Sequence, residues 1–489
     1  MKTRTSLFRA GGLLLLAIVG PALALDTTAC SKESVPPSSQ EPIKIGFSVA
    51  LSGGYSGTGT GLLQGAQVAV DLVNARGGVL GRPIQLLVED DQSSNPTIDQ
   101  SRRLTQVIKG FVDQKVAAIL GPGATVQVRT AADITFPRDP STRQLVKGAT
   151  PTLLITPWAT SPTLTNDWNP WPERYLYRTP PSDKYQRAAL YKRMKDPIPT
   201  GGDSGPGEPP CKQQPFLVYA NDALGSTYEQ YFSAQPGADA KYKVAVPTDD
   251  KGDGNYTEVI AAYRAAPPPA PDCVALVTYA EVSGNVVRQF RQAVPAINPM
   301  PKFFGTDAIF DPGFVTTVRN NAWVEGISGV EPDTAPLTND YQDFKNIFQA
   351  QTATSGGALV EPPPYSSNAF DAVILLAFAI QKAETATDPK KIRDAMVEVS
   401  RGYPADLTEP PAELGAKLVS PRNIDLGFAT LANKTAINYE GASGKVNFDR
   451  NGDVVAGYVK WFIKDGQFQL QDGAGSRYTA EELERAQPK

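Results

Sequence analysis

The stretch from Ile43 to Glu89, IKIGFSVALSGGYSGTGTGLLQGAQVAVDLVNARGGVLGRPIQLLVE, decides the fold class. Ile43 to Ala50 is an apolar run that reads as a buried strand, and a glycine-rich loop is expected from there to Gly61. Leu62, Ala66, Ala69 and Val73 then recur at helical spacing, so a helix is expected over Leu62 to Arg76, stopped by Gly77 and Gly78. Ile84 to Glu89 is the next strand. The alternation continues with a helix opened by Asn95 and Pro96, then strands at Val116 to Leu120 and Thr152 to Thr156. Apolar strands alternating with helices imply a parallel sheet covered on both faces. A second alternation has strands at Phe216 to Ala220, Tyr242 to Val246 and Cys273 to Tyr279, and ends near Phe303 and Phe304. Two such units in succession imply two Rossmann-like α/β lobes. The Pro- and Gly-rich stretches Pro197 to Pro215 and Pro404 to Pro421 read as surface insertions.

Upstream of the first strand, Lys2, Arg4 and Arg9 precede an apolar run from Gly11 to Leu25, the layout of a secretory signal. That run is about fifteen residues and is broken by Gly20 and Pro21, short of the roughly twenty apolar residues of a spanning helix. Ala22, Leu23 and Ala24 offer ordinary cleavage, while Thr27, Thr28, Ala29 and Cys30 resemble a degenerate lipobox. The chain has three cysteines. Lipidation of Cys30 leaves Cys211 and Cys273 as a pair, which resolves the odd count expected to be awkward in an exported protein. Both stand at or just before strands of the second unit, and if those strands are neighbours a disulfide there is geometrically reasonable. Residues 1 to 29 are thus assigned to a signal with a Cys30 anchor, and residues 30 to 42, polar and proline-containing, to a tether.

Composition narrows the function. The formal charge of -4 supplies no basic footprint for nucleic acid. Histidine, the usual general base beside a Ser or Cys nucleophile and the commonest metal ligand, is absent. Ser-His-Asp and Cys-His triads are excluded, and the scattered cysteines form no zinc motif. No cofactor or metal is expected. Carboxylate-only hydrolysis survives this filter, but no paired-acid motif can be placed. In LSGGYSGTGTG the glycines 57, 59 and 61 have neither the dinucleotide spacing nor the lysine of a P-loop. They do allow backbone N–H groups to approach a ligand at the carboxyl end of a strand, which makes Thr58 a candidate contact; a flexible loop reads the same way.

Four segments together resemble the type I periplasmic binding proteins, specifically the leucine/isoleucine/valine-binding family of ABC transporters: Ile43 to Arg82; LLITPWATSPTLT (Leu153 to Thr165) with the YRTPPSD that follows; NAFDAVILLAFAIQKA (Asn368 to Ala383); and GASGKVNFDRNGD (Gly441 to Asp453). The resemblance implies two lobes joined by three crossings, near Arg178, Gly305 and Asp453. Lobe 1 would be 43–177 with 306–452, and lobe 2 would be 178–305 with 453–489. It implies a non-enzymatic receptor, monomeric, that closes on a small ligand and delivers it to a membrane permease. The ligand carboxylate would meet Thr125 in GPGATVQ and Trp158, Ala159 and Thr160 in TPWATSP. Trp158 replaces a residue usually small, and Leu224 stands where the family places a Tyr for the ligand ammonium. Asp253, with Asp249 and Asp250 close in register, is the matching acid; Asp183, Tyr279 and Asp307 are further cleft positions by the same resemblance. A ligand sensor acting on a membrane receptor is the alternative the sequence leaves open.

Overall fold

The computed structural model describes residues 41 to 487, apart from 54, 94–98, 169–172, 197–209, 249–253, 295, 354–358, 405, 408–414 and 474. The signal, Cys30 and all of the tether but its last two residues lie outside the described residues. The first sheet contains β1 (Ile43–Val49), β2 (Ile84–Asp90), β3 (Ala118–Leu120), β4 (Leu153–Thr156) and β5 (Leu176–Arg178), ordered β2-β1-β3-β4-β5 and parallel throughout. The second contains β6 (Phe216–Ala220), β7 (Lys243–Val246), β8 (Cys273–Val277), β9 (Lys302–Gly305) and β10 (Ser328–Pro332), parallel in the order β10-β9-β8-β6-β7. A small sheet of β11 (Lys417–Val419), β12 (Ile437–Gly441) and β13 (Gly444–Lys445) packs into the core of the first lobe. Finally β14 (Tyr458–Lys464) returns antiparallel onto β10, with β15 (Gln467–Leu470) and β16 (Arg477–Tyr478) antiparallel to it. Two α/β lobes with parallel sheets are therefore present, the second carrying an antiparallel edge.

The helix Ser366–Ala383 runs through the first lobe with every residue from Ser366 to Ile380 buried. A helix apolar on all sides belongs inside a core. Its one acid, Asp371, accepts hydrogen bonds from the Tyr439 hydroxyl, the Ala442 and Ser443 amides and the Ser443 hydroxyl, at 2.6 to 2.8 Å. Burial still holds this carboxyl up at about 6.

Two expectations are corrected. The helix expected from Leu62 begins at Ser56, so the glycines at 57, 59 and 61 are helical. Glycine is a poor helix former, but close packing requires it at 61 and 65: a Cβ on Gly65 would lie 2.0 Å from the Ser366 carbonyl oxygen, and one on Gly61 would lie 2.7 Å from Pro363. The crossing expected at Gly305 also falls later. β10 sits in the second sheet between β9 and β14, and Ile309, Phe314, Val318 and Val324 are buried in that lobe's core. Residues 306 to 332 therefore pack with lobe 2, and the chain returns to lobe 1 only after Pro332.

The crossings are bonded to one another. The Arg178 amide donates to Gly452 O at 3.1 Å, Pro181 bridges to Val454 in parallel, and the Asp333 amide donates to Gly457 O at 3.1 Å. The Arg178 guanidinium grips both Asp453 carboxylate oxygens, at 2.6 and 2.9 Å, and also reaches Thr160 O and Ser161 O at 2.8 Å and the Thr165 hydroxyl at 2.6 Å. Cys211 and Cys273 form a disulfide with Cα atoms 5.7 Å apart, tying the segment before β6 to the start of β8.

Candidate functional site

Between the lobes lies a cavity of about 640 Å³. Lobe 1 contributes Tyr55, Thr58, Trp158 and Tyr365; lobe 2 contributes the segment after β9, Glu331 on β10, and Phe468 on β15. Each wall follows from local folding. Tyr55 is the residue before the Ser56 helix, and Tyr365 precedes the Ser366 helix with a left-handed backbone, φ 62°. For a bulky residue that conformation is strained by about 1 to 3 kcal/mol. It is held in place by the glycine-mediated contact of the two helices and by the Tyr365 hydroxyl, which donates to Asp307 Oδ2 across the cleft at 2.6 Å.

The rings form a chain. Tyr55 meets Trp158 edge-on at 5.0 Å between centroids, Trp158 meets Tyr365 at 6.4 Å, and Tyr55 reaches Tyr279 of the other lobe at 6.3 Å. Such pairs favour edge-to-face geometry through the ring quadrupoles.

Carboxyl groups cluster against these rings. Asp307 accepts from Gln186 Nε2 at 2.6 Å as well as from Tyr365. Asp311 caps the Pro312–Val318 helix by accepting from the Gly313 amide. Glu331 is 1% exposed, and its Oε2 has no hydrogen-bond partner among the described residues. Asp183, at the start of the Asp183–Lys195 helix, is fully buried. Neither of its oxygens meets hydrogen-bond geometry, while its amide donates to Thr160 O at 2.8 Å. Burial pushes the Asp183 carboxyl up to about 7, with the Asp307 charge adding to the rise and the Thr160 hydroxyl, Arg178 and Arg187 opposing it. Burial likewise raises Asp307 and Asp311, and raises Glu331 well above the carboxylate range. Burial raises the Tyr55 hydroxyl too, helped by the charges of Asp222, Asp311 and Glu281.

The sequence that builds this cleft matches a known family. A family profile described as periplasmic binding protein matches residues 42–412. The chain belongs to the periplasmic binding protein family. This binding protein is 22% identical over 445 residues to the chemotactic signal transduction system substrate-binding protein BasB of Halobacterium salinarum, covering 90% of this chain and 91% of that protein. Its fold is similar to a leucine binding protein from Thermotoga maritima, with a TM-score of 0.60, 19% identity, and 88% of this chain and 98% of that one covered. It is also similar to an ABC transporter solute binding protein from Rhodopseudomonas palustris in complex with 3,4-dihydroxybenzoic acid, with a TM-score of 0.57, 14% identity, and 90% and 98% of the two chains covered.

The structure brings Thr58, Trp158 and Asp307 to the cavity wall of the binding protein. Tyr279 stands behind Tyr55 and donates to Asp222 Oδ2 at 2.6 Å. Asp183 lies buried behind the wall, near Asp307. Thr125 opens the Thr125–Thr135 helix half-buried, away from the cavity. The Trp158 and Ala159 amides turn to the Thr156 hydroxyl, at 3.4 and 3.0 Å, and Thr160 is buried with its carbonyl held by Arg178 and Asp183. Leu224 packs in the second-lobe core among Tyr185, Tyr228 and Phe232. Asp253 lies outside the described residues. Sequence reasoning missed Tyr55, Asp311, Glu331 and Tyr365. Tyr55 stood inside the quoted glycine-rich loop; the others carried no local signal, because what joins them is a cavity made by segments far apart in sequence.

Proposed function

We propose that this binding protein captures a small amphiphilic solute, an amino acid or a related amide or carboxylate, in the interlobe cleft, closes by rotation at its three crossings, and delivers it to an ABC permease. The observation that carries this reading is the cavity of about 640 Å³ between the lobes, within the range of about 300 to 1,000 Å³ usual for small-molecule sites. No bond-making step is assigned. The protein acts outside the cytoplasm as a monomer, with Cys30 as a lipid anchor and the membrane contacted only through that anchor and the permease. Mass spectrometry of solute released from natively purified protein, combined with calorimetry across amino acids, amides, ureas and aromatic acids, tests the reading. Recovery of no solute and no binding in that panel would overturn it.

A second reading is carried by the Halobacterium relative, whose name ties it to chemotaxis. The same closure would then present the solute to a membrane receptor. A deletion strain that keeps solute uptake but loses the behavioural response would favour this reading over transport.

A further inference from the structure

We infer that the solute for which this cleft is built is a protonated amine with an apolar or aromatic body and no carboxylate of its own. The inference rests on reading the cleft as a solute site, and replaces the amino acid, amide or carboxylate proposed above with a different solute class. Among the described residues, the cavity wall carries the carboxyls of Asp307, Asp311 and Glu331 and no lysine or arginine. Arg178, the nearby guanidinium of the hinge, is committed to Asp453 and to the carbonyls of Thr160 and Ser161.

Glu331 identifies the missing group. Both oxygens of Asp307 are supplied by protein donors, Gln186 and Tyr365, whereas Glu331, a residue of the cavity wall, has a buried Oε2 with no donor among the described residues. A buried acceptor is rarely left unpaired. An ammonium N–H fills it and brings the opposite charge, and a charge-assisted bond of this kind is stronger than a neutral one. A quaternary ammonium has no N–H to offer and leaves the oxygen unpaired. The faces of Tyr55, Trp158 and Tyr365 suit both a cation and a flat or branched apolar body.

The opposite wall rejects a ligand carboxylate. The two amides at 158 and 159 that would cradle it are already bonded to the Thr156 hydroxyl. The Trp158 ring lies over Gly123 so closely that a Cβ there would sit 2.3 Å from the indole Cε3. Thr125 is off the wall. Among the described residues of the wall, an anion entering this cleft meets three carboxyls and no lysine or arginine to compensate it. Burial raises both Glu331 and Asp307, and a cation seated beside them would oppose that rise.

Calorimetry on the full-length protein with two matched triads tests the inference: 2-phenylethylamine, L-phenylalanine and phenylacetate, and 3-methylbutylamine, L-leucine and 3-methylbutanoate. The amine binds at least tenfold tighter than its amino acid in at least one triad, and neither acid binds. Glu331→Gln weakens the amine at least tenfold at an unchanged melting temperature. If that variant does not fold, Asp311→Asn, at the half-buried edge of the cavity, decides by weakening the same amine at least threefold. An amino acid or acid that binds as tightly as its amine overturns the inference, as does an unaltered amine affinity in the folded variant. Binding of none of the six solutes overturns it too, and a co-purified solute of another class would then leave the transport reading standing.

Discussion

Replacing Arg178 by Met removes the side chain that ties the end of β5 to the third crossing. Five contacts go at once: two to Asp453, two to the carbonyls of Thr160 and Ser161, and one to the Thr165 hydroxyl. The guanidinium is 2% exposed and the Asp453 side chain 19%. Breaking a buried ion pair by removing one partner costs about 3 to 5 kcal/mol. Asp453 keeps some water and the Thr165 hydroxyl, so the loss should fall near the lower bound, about 3 kcal/mol. Asp453→Asn should cost a similar amount, because the arginine then stays buried without its counter-ion. The double variant should lose far less than the sum, leaving a coupling of about 2 kcal/mol or more. Urea unfolding of the four proteins, with free energies from linear extrapolation, measures this directly. If the double variant equals the sum of the singles within about 0.5 kcal/mol, Arg178 and Asp453 are not acting as one clamp, and the account of the hinge given above is wrong.

Asp183→Asn tests the buried acid. Its folded carboxyl sits at about 7, against about 3.9 in an unfolded chain. The protonated form is therefore favoured by folding, and the stability it contributes is full below about pH 4 and is lost as pH rises to about 7. Asp307 raises this group, Arg178, Arg187 and the Thr160 hydroxyl lower it, and Tyr228, Tyr279 and Tyr458 lie within its field. The empty protein should lose stability over that window, and the variant should flatten the slope, gaining on the order of 2 to 4 kcal/mol at pH 8 and little at pH 4; a variant no more stable at pH 8 contradicts the buried-acid account. Gly65→Ala should cost more than about 2 kcal/mol, since its methyl meets backbone rather than a side chain able to turn away, and should weaken solute binding through Tyr365; an unchanged melting curve refutes the close approach. Cys211→Ser with Cys273→Ser opens a loop of 62 residues, for which the chain-entropy relation gives about 4 kcal/mol, readable as a lower urea midpoint. Trp158→Ala should uncover the Gly123 backbone and cut affinity for the co-purified solute at least tenfold by calorimetry.

The strands of the first lobe were legible because each is an apolar run ended by turn residues, and Ile43 to Glu89 alone was enough to set the class. β10 was not legible. Ser328–Pro332, SGVEP, has no apolar run, and its partner β14 lies more than a hundred residues away in sequence. Its Gly329 is required by Trp461 packing over it, a fact of tertiary structure. The helix start at Ser56 was hidden for the same reason, since glycine propensity argues against a helix that packing imposes. Within the site, the resemblance carried Trp158 and Asp307 to the cleft wall. It could not carry Glu331 or Tyr365, whose positions depend on where the second crossing falls and on a strained residue ahead of the most buried helix.

The bonded crossings have a mechanical consequence. The 452–457 segment lies in the middle, held on one side by Arg178 and Pro181 and on the other by Asp333. Three segments tied side by side in this way resist sliding past one another, because shear would break the Arg178–Gly452 and Asp333–Gly457 bonds. If the lobes close as proposed, the three segments would have to bend together, and no crossing could move without loading the other two.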